Sequence, residues 1–588
     1  MGKKTLPKNY QKKLDEYQLV KLERALTFQE ALQEEFLDAE RSKNEILKRF
    51  ERCMGAAQVD AEIYDYLFRY LGIKIDKTSA SATHVYNKTA ANEVSKWAAK
   101  FVENVFPQDA ENFLILATEK CIDALSVLYP EYPRNEVENK INQILREITT
   151  LISSTINNGK FFSFFLDEVK VFFVRQFDCM IAPSNQNFRT AVGNVVYKPI
   201  SPMSIGYDYN DENDVIGVFR KFTTTFRNAV LSYPDFNTEA LSEERKSPDS
   251  VLCFRECCFL KFINTLNEFR WVYILFSEGQ KIVVFRLLKF NPFLTFCETM
   301  PYGSTVGRGM FFNCYSDVKR AEGETRLLES VLEKNAKPSL ECVVGKVTNL
   351  DELNGVLEDG QIIKVSEPNV IRPVNMGERP DILATQVAKT EDDIRNSFSS
   401  ERYEPERSDT ATAVTVNVSR EVAFLSSHYG KVLKHFIDQL VSKTLFSLEE
   451  TNDIYDCLVR FFREDPMNRL PLSVFTNDVL AEPELMDEML DYFINTLIDL
   501  FLDIRFLHIK VLSNLGLKQR YDDINRFVGM LQLFSGVSNL PPSAFFSFDR
   551  FLDKTINSVG MDRGVFLNEK ERREIQNSIA MTAEQNVK

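Results

Sequence analysis

The residues of this chain that most resemble chemistry are glycines. From Pro301 the sequence reads PYGSTVGRGMFFNCYSDVKRAEGETRLLESVLEKNAKPSL, with Gly303, Gly307 and Gly309 ahead of about seven turns of helix-compatible sequence. A glycine-rich loop opening a helix is a common phosphate cradle, because loop N–H groups and the helix N-terminus both favour an anion. The spacing does not fit the established versions. G-x-x-x-x-G-K-[ST] needs a lysine and a hydroxyl to reach phosphate and Mg²⁺, and GSTVGRG supplies neither. The dinucleotide pattern G-x-G-x-x-G is also unmatched, with no strand–helix–strand unit around it. The alternative is a tight or flexible approach to a long structural helix, since glycine tolerates the backbone angles of such a corner.

The other reactive residue types are scattered. Of ten cysteines, Cys253, Cys257 and Cys258 in VLCFRECCFLKF come closest to a cluster, but they lack the paired C-x-x-C arms of a zinc site. The histidines His84, His428, His435 and His508 lie elsewhere. Buried free thiols are therefore expected, with no metal and no cofactor. His428 and His435, seven apart on one helix, read as a packed or solvated pair. No G-x-S-x-G or H-E-x-x-H occurs. The acidic run DYNDEND (Asp208 to Asp214) lacks the spacing and closing glutamate of a calcium loop and reads as a hairpin tip. No catalytic residue is assigned, and the chain reads as a non-enzyme.

The elements that would position these residues belong to a large chain. At 588 residues several packed units are expected, and 44% hydrophobic with 27% charged content is ordinary for a folded soluble protein. The net charge of −14 argues against a protein that coats DNA, though not against an acidic wall that DNA passes without sticking. MGKKTLPKNYQKK at the N-terminus is basic but lacks the apolar core of a signal peptide, and unpatterned cysteines fit a reducing cytoplasm. MLDYFINTLIDLFLDIRFLHIKVL (Met489 to Leu512) carries too many charges for a membrane span and reads as a buried helix.

Along the chain, residues 10–53 have helical spacing and read as a solvated amphipathic helix. Helices are expected at Thr89–Val105, Glu111–Leu128 and Glu136–Asn157, then mainly strands between Val195 and Phe296. GYDYNDENDVIGVFRKFTTTF and WVYILFSEGQKIVVFRLLKF read as hairpins, the second turning at Glu278-Gly279. In the quoted stretch Phe311, Cys314, Tyr315, Val318, Ala321, Thr325, Leu328 and Leu332 recur at three- and four-residue intervals, one apolar face broken only by the helix-weakening Gly323. Pro338 stops this helix. Residues 339–374 form a small β insert, and helix resumes at Pro380 as DILATQVAKTEDDIRNSF. A polar loop, SSERYEPERSDTATAVTV, then leads to a further helix, and the last 140 residues are mainly helical. Two long helices with a β module between them make a stalk with a thin core, which copies packed side by side would stabilise. The fold class is α+β.

In this order of parts the chain resembles the head-to-tail connector, or portal, proteins of short-tailed double-stranded DNA phages over roughly residues 84–588. HVYNKTAANEVSKWAAKFVENVFPQDAENFLIL is similar to that family's early turn and helix. NGKFFSFFLDEVKVFFVRQFDCMIAP is similar to its next helix and strand, and SPMSIGYDYNDENDVIGVFRKFTTTFRNAV to its strand–turn–strand. PYGSTVGRG resembles the Tyr-Gly-rich approach to the first stem helix, LECVVG to VIRPV the clip, and ATQVAKTEDDIRNSF the second stem helix. KQRYDDINRFVGMLQLF and FLDKTINSVGMDRGVFLNEKERREIQ resemble its C-terminal helices. The chain departs from the family in its longer charged start, and in Asn87-Lys88-Thr89 where the family has Asp-Ser/Thr.

The resemblance implies a charged helical arm at 1–83, a wing at 84–300 and the first stem helix with its Gly-rich approach at 301–337. It further implies a clip at 338–375, a second stem helix at 376–399 and a tunnel loop at 400–416. A long helix at the wing/crown junction (417–475) and a helical crown (476–588) complete it. The implied assembly is a ring, a dodecamer, at one capsid vertex of the virion, made in host cytoplasm. Double-stranded DNA would be packaged and ejected through its channel, the large terminase and later tail adaptor proteins docking on it beside major capsid protein and scaffold. Candidate DNA-facing residues are Arg402, Arg407, Lys319, Arg320 and Lys334. Candidate stem-packing residues are Phe311, Tyr315, Val318 and Leu328, with Gly303, Gly307 and Gly309 at the approach. A cytoplasmic helical scaffold or adaptor without a channel is the alternative, and a nucleotide-using enzyme built on GSTVGRG a third reading.

Overall fold

The computed structural model describes residues 8–73, 87–105, 113–183, 195–301, 304–336, 340–342, 371–373, 380–398 and 435–511, less a few short stretches inside these spans. Arg402, Arg407, Gly303, His84 and His428 lie outside the described residues, as do the loop expected at 400–416, most of the stretch expected to form a clip (338–375) and residues 512–588. The chain divides into two compact units. One joins residues 1–59, 98–308 and 411–588, and the other joins 60–97 with 309–410. Helices and antiparallel sheets occur together, an α+β architecture.

The described strands are β1 (Phe113–Ala117), β2 (Gln176–Pro183), β3 (Val195–Pro199), β4 (Ile205–Tyr209), β5 (Val215–Thr225) and β6 (Val251–Ile263). They continue with β7 (Glu268–Ser277), β8 (Ile282–Leu288), β9 (Phe293–Cys297), β10 (Leu340–Cys342), β11 (Ile371–Pro373) and β12 (Leu507–Val511). In the first unit, β4 to β8 form one antiparallel sheet in chain order. Strict alternation splits its side chains between two cores. On β6, Phe254 and Cys258 enter one, while Cys257, Phe259 and Ile263 enter the other. The two adjacent cysteines thus face opposite sides as buried free thiols. The expected hairpins both form. Asn210 Oδ1 accepts from the backbone N–H of Glu212 and Asp214, closing the first tip. The second turns with Gln280, not Gly279, at positive φ (59°).

The N-terminal segment does more than present a solvated face. It forms helices Lys8–Arg41 and Lys43–Ala57, broken at Ser42. Ala31, Ala39, Ile46, Phe50 and Cys53 from them close one face of the five-stranded sheet. A second sheet, β3-β2-β9, packs through aromatic side chains. Phe172 and Phe296 stack at 4.7 Å, and Phe436, on a helix over 435–450, lies 4.2 Å from Phe296 and 5.6 Å from Phe165.

Two helical expectations are corrected. Glu111–Leu128 is not one helix: FLILA is strand β1, and after Thr118, whose hydroxyl caps Cys121 N–H at 3.4 Å, a helix runs only from Glu119 to Ser126. The segment from Met489 to Leu512 divides into helix Pro483–Phe501 and strand β12. The two strands pair with each other, Phe113 opposite Val511 and Ala117 opposite Leu507. A short apolar run fits either state, and the partner that decides lies far away in sequence.

Candidate channel-forming helix pair

The second unit is built on two long helices, Tyr315–Ala336 and Pro380–Phe398. They run antiparallel. Cys314 Sγ meets Ser397 Oγ at 3.4 Å, while ten residues on, Glu324 meets Gln386 and Thr390 at 2.7 Å each. The same pairing continues into the ribbon β10–β11, where Leu340 stands opposite Pro373 and Cys342 opposite Ile371. The spacing from Val318 through Ala321 to Val331 puts one stripe of the first helix against Val387 and Ile394 of the second, all buried. Leu328 is half-buried, and the burial stripe passes through Val331 instead of Leu332, which is 50% exposed.

The helix expected from Gly309, with Gly323 as its weak point, starts as a single turn, Met310–Asn313, and restarts at Tyr315 after Cys314 leaves the helical angles. Gly323 does not interrupt it. Phe311 is buried and Tyr315 half-buried, both against helix Ala61–Tyr70 of the same chain: Phe311 packs on Tyr70 at 6.0 Å and Tyr315 on Tyr66 at 5.5 Å. Burial, then the nearby Glu322 carboxylate, pushes the Tyr66 phenol up to about 12.

Asn87, noted in the sequence only as a departure from the family pattern, is a buried polar joint. Its N–H donates to Glu322 Oε1 at 2.6 Å, and its Nδ2 donates to Thr325 Oγ1 at 3.1 Å and Glu391 Oε1 at 2.9 Å. Its Oδ1 accepts from Thr89 N–H at 3.0 Å, and its carbonyl accepts from the Tyr70 hydroxyl at 2.6 Å. One residue thus ties both long helices to helix Ala61–Tyr70 and to the start of helix Thr89–Val105. Asn87 standing two residues ahead of a helix start was the signal available.

Glu324 is the second joint. Only 12% of its side chain is exposed, and it accepts from Arg320 Nε at 2.8 Å besides Gln386 and Thr390. Burial raises the carboxyl's pKa, but the bonds donated by Arg320, Thr390 and Gln386 outweigh burial and hold it below the ordinary value. Arg320 is therefore engaged along its own helix. Lys319 is exposed, its amino group 3.5 Å from the Tyr315 hydroxyl and over that ring. Lys334 falls in the last turn of the helix.

The glycines separate. In the first unit, Gly307 N–H donates to Gln176 Oε1 at 3.0 Å, and a Cβ there would lie 2.3 Å from Cys297 Cβ and 2.8 Å from its Sγ. Close approach to β2 and β9, not an unusual backbone angle, requires this glycine. Gly309, with φ −93° and ψ 166°, is in extended backbone open to any residue. Four of the described loop amides are already used. Ser304 N–H donates to Pro301 O, Val306 N–H to Ser304 Oγ, Gly307 N–H to Gln176 and Arg308 N–H to Thr299 O. A phosphate cradle needs such groups free and convergent.

Among the described residues no helix is long and apolar enough to cross a membrane. No curated protein matches the chain. A family profile described as bacteriophage head to tail connecting protein matches residues 57–454, more than half of the 588. That span takes in the five-stranded sheet, the Asn87 joint and the whole helix pair with its ribbon. The chain belongs to the bacteriophage head to tail connecting protein family.

Proposed function

We propose that this chain is the portal subunit of a phage: a ring, expected to hold twelve copies, set at a capsid vertex of the virion after assembly in host cytoplasm. Double-stranded DNA enters and leaves through its channel, and the packaging ATPase and tail adaptor proteins dock on it in turn. The observation that carries this reading is the unfinished surface of the helix pair. Leu327, Leu332 and Ile382 are 52%, 50% and 57% exposed on a two-helix stalk whose own core is one stripe of side chains. Copies side by side would cover them, as isolated helices need tertiary packing to persist.

The two long helices together carry nine acidic and six basic residues, which suits a wall that repels phosphate and lets DNA slide. Lys319 and Lys334 are the stem cations proposed to touch DNA briefly. Arg320 is a weaker candidate because Glu324 holds it. Arg402 and Arg407, outside the described residues, are proposed for the constriction.

Size measurement of the purified protein tests the reading. Twelve copies of 67.8 kDa give a uniform ring on the order of 800 kDa, while a monomer would favour a channel-free scaffold. Charge reversal at Arg402 and Arg407 is expected to shorten packaged DNA while rings still assemble, and packaged DNA of normal length would remove those two residues from the channel.

A further inference from the structure

The long N-terminal helix Lys8–Arg41 is divided in charge. Up to Leu22 the sequence carries six lysines and two acids, and five of those lysines fall within the first 13 residues, where there is no acid. From Glu23 to Arg41 there are six acids and two arginines. The acidic half borders a groove of about 290 Å³, closed by helix Lys43–Ala57 and by β6 and β7. Ile46, Phe259 and Val272 make a buried apolar floor, and Glu35, Asp38 and Glu45 stand at the rim. The two cations there are occupied. Lys261 Nζ lies 2.6 Å from both Glu35 and Asp38, and Arg49 Nε lies 2.6 Å from Asp208. Glu45 is exposed and has no ion-pair partner among the described residues.

A basic segment with apolar side chains complements an acidic rim over an apolar floor. The chain itself contains one: in KKTLPKNYQKK, Leu6 and Tyr10 stand among Lys3, Lys4, Lys8, Lys12 and Lys13. It cannot serve its own groove. Lys8 and Glu35 are on one continuous helix, 27 residues apart, roughly 40 Å at 1.5 Å per residue. The seven residues ahead of Lys8, fully extended, reach back at most about 25 Å. The partner must therefore be another molecule.

We propose that residues 3–13 of one copy dock in this groove of a neighbouring copy, a head-to-tail contact that repeats around a closed ring. This rests on the ring reading above, and adds a strap outside the stem. The helix's own charge division supplies both halves of the contact, so each copy gives one and receives one.

The test uses the full-length protein, co-assembled from equal amounts of monomer grown in light and heavy nitrogen, with carbodiimide joining lysine amines to nearby carboxylates. Peptides linking an N-terminal lysine to Glu45, about half of them heavy-to-light as random placement of neighbours requires, are the expected result. Intact rings without such peptides, or with links only inside one copy, overturn the docking and leave the ring reading standing. Links from Glu45 only to a different protein in virions overturn it likewise. Monomer alone defeats both readings. In parallel, Glu45→Lys is expected to lower the salt concentration at which rings dissociate by about twofold, and Lys8→Glu with Lys12→Glu in the same chain to restore it. Lack of restoration, with unchanged circular dichroism, counts against the contact.

Discussion

At the scale of single residues, Asn87 is the sharpest case. It donates from Nδ2 to Glu391 and Thr325 and from its backbone to Glu322, so it stands between two carboxylates as a source of hydrogen. Asn87→Asp would replace that donor by a third carboxylate in a buried site. The loss is expected to be about 1–3 kcal/mol at pH 7, the usual range for stranding buried polar groups. It should shrink toward pH 4 as the introduced Asp carboxyl takes up a proton and becomes a donor again. Thermal melts of Asn87→Asp and Asn87→Ala over that pH range check this, the pH-dependent part belonging to Asp alone. The difference between Asp and Asn at one loop position carries no weight in sequence, because the two glutamates that give it meaning come from helices more than 200 residues away. Gly307 teaches the same lesson. Three glycines in seven residues are plain to read, but only contact with Cys297 separates Gly307 from Gly309. Gly307→Ala is expected to destabilise by about 1–3 kcal/mol through overpacking, and thermal melts check this, while the extended backbone of Gly309 by itself puts no strain on an alanine.

At the scale of elements, the helix boundaries were legible wherever local signals decide them. Thr89–Val105 and the start at Pro380 appear where periodicity and proline place them. The β1–β12 pairing was not legible, because its two strands only define each other in space. For the helix pair, the apolar spacing located the stripe but not its partner. Val318 is buried within the pair itself, so Val318→Asp is expected to break the subunit and not only a ring. Leu332→Asp, on an exposed residue, is the cleaner assembly probe: the monomer should melt normally while rings are lost from electron micrographs. Gly323 adds a second reading of the same surface. A methyl group there meets nothing within 4 Å, so Gly323→Ala should stabilise the helix by about 0.5–1 kcal/mol in the monomer. Loss of rings in that stabilised variant would mark Gly323 as a close contact between copies. The joint at Glu324 has a pH dependence of fixed sign. Its folded pKa lies below the ordinary 4.5, so its contribution is full above that value and fades as pH falls through the folded pKa. Acid titration of the wild type against Glu324→Gln should show the steeper loss in the wild type.

At the scale of the whole molecule, charge connects the chain to its proposed work. Eighty-five acidic and 71 basic residues leave −14 per copy, and a ring multiplies that field around whatever passes through it. Net charge was readable at once; which acids matter was not, since that depends on which faces of the helix pair stay open. Glu329, Glu333, Asp381 and Asp393 are exposed on the pair. If repulsion keeps DNA moving, neutralising these four as Gln and Asn should make the wall adhesive. The pair would change from nine acids against six bases to five against six. Bound counterions released by the now dominant cations make DNA affinity salt-dependent, so the variant ring should hold linear duplex DNA more tightly at low salt and lose it steeply as salt rises. The wild-type ring should show weak binding with a shallow slope. Packaging assays would then separate adhesion from assembly: intact variant rings that stall or slow DNA entry fit a repulsive wall. Variant rings that package at the wild-type rate would show that the acidic balance serves solubility instead.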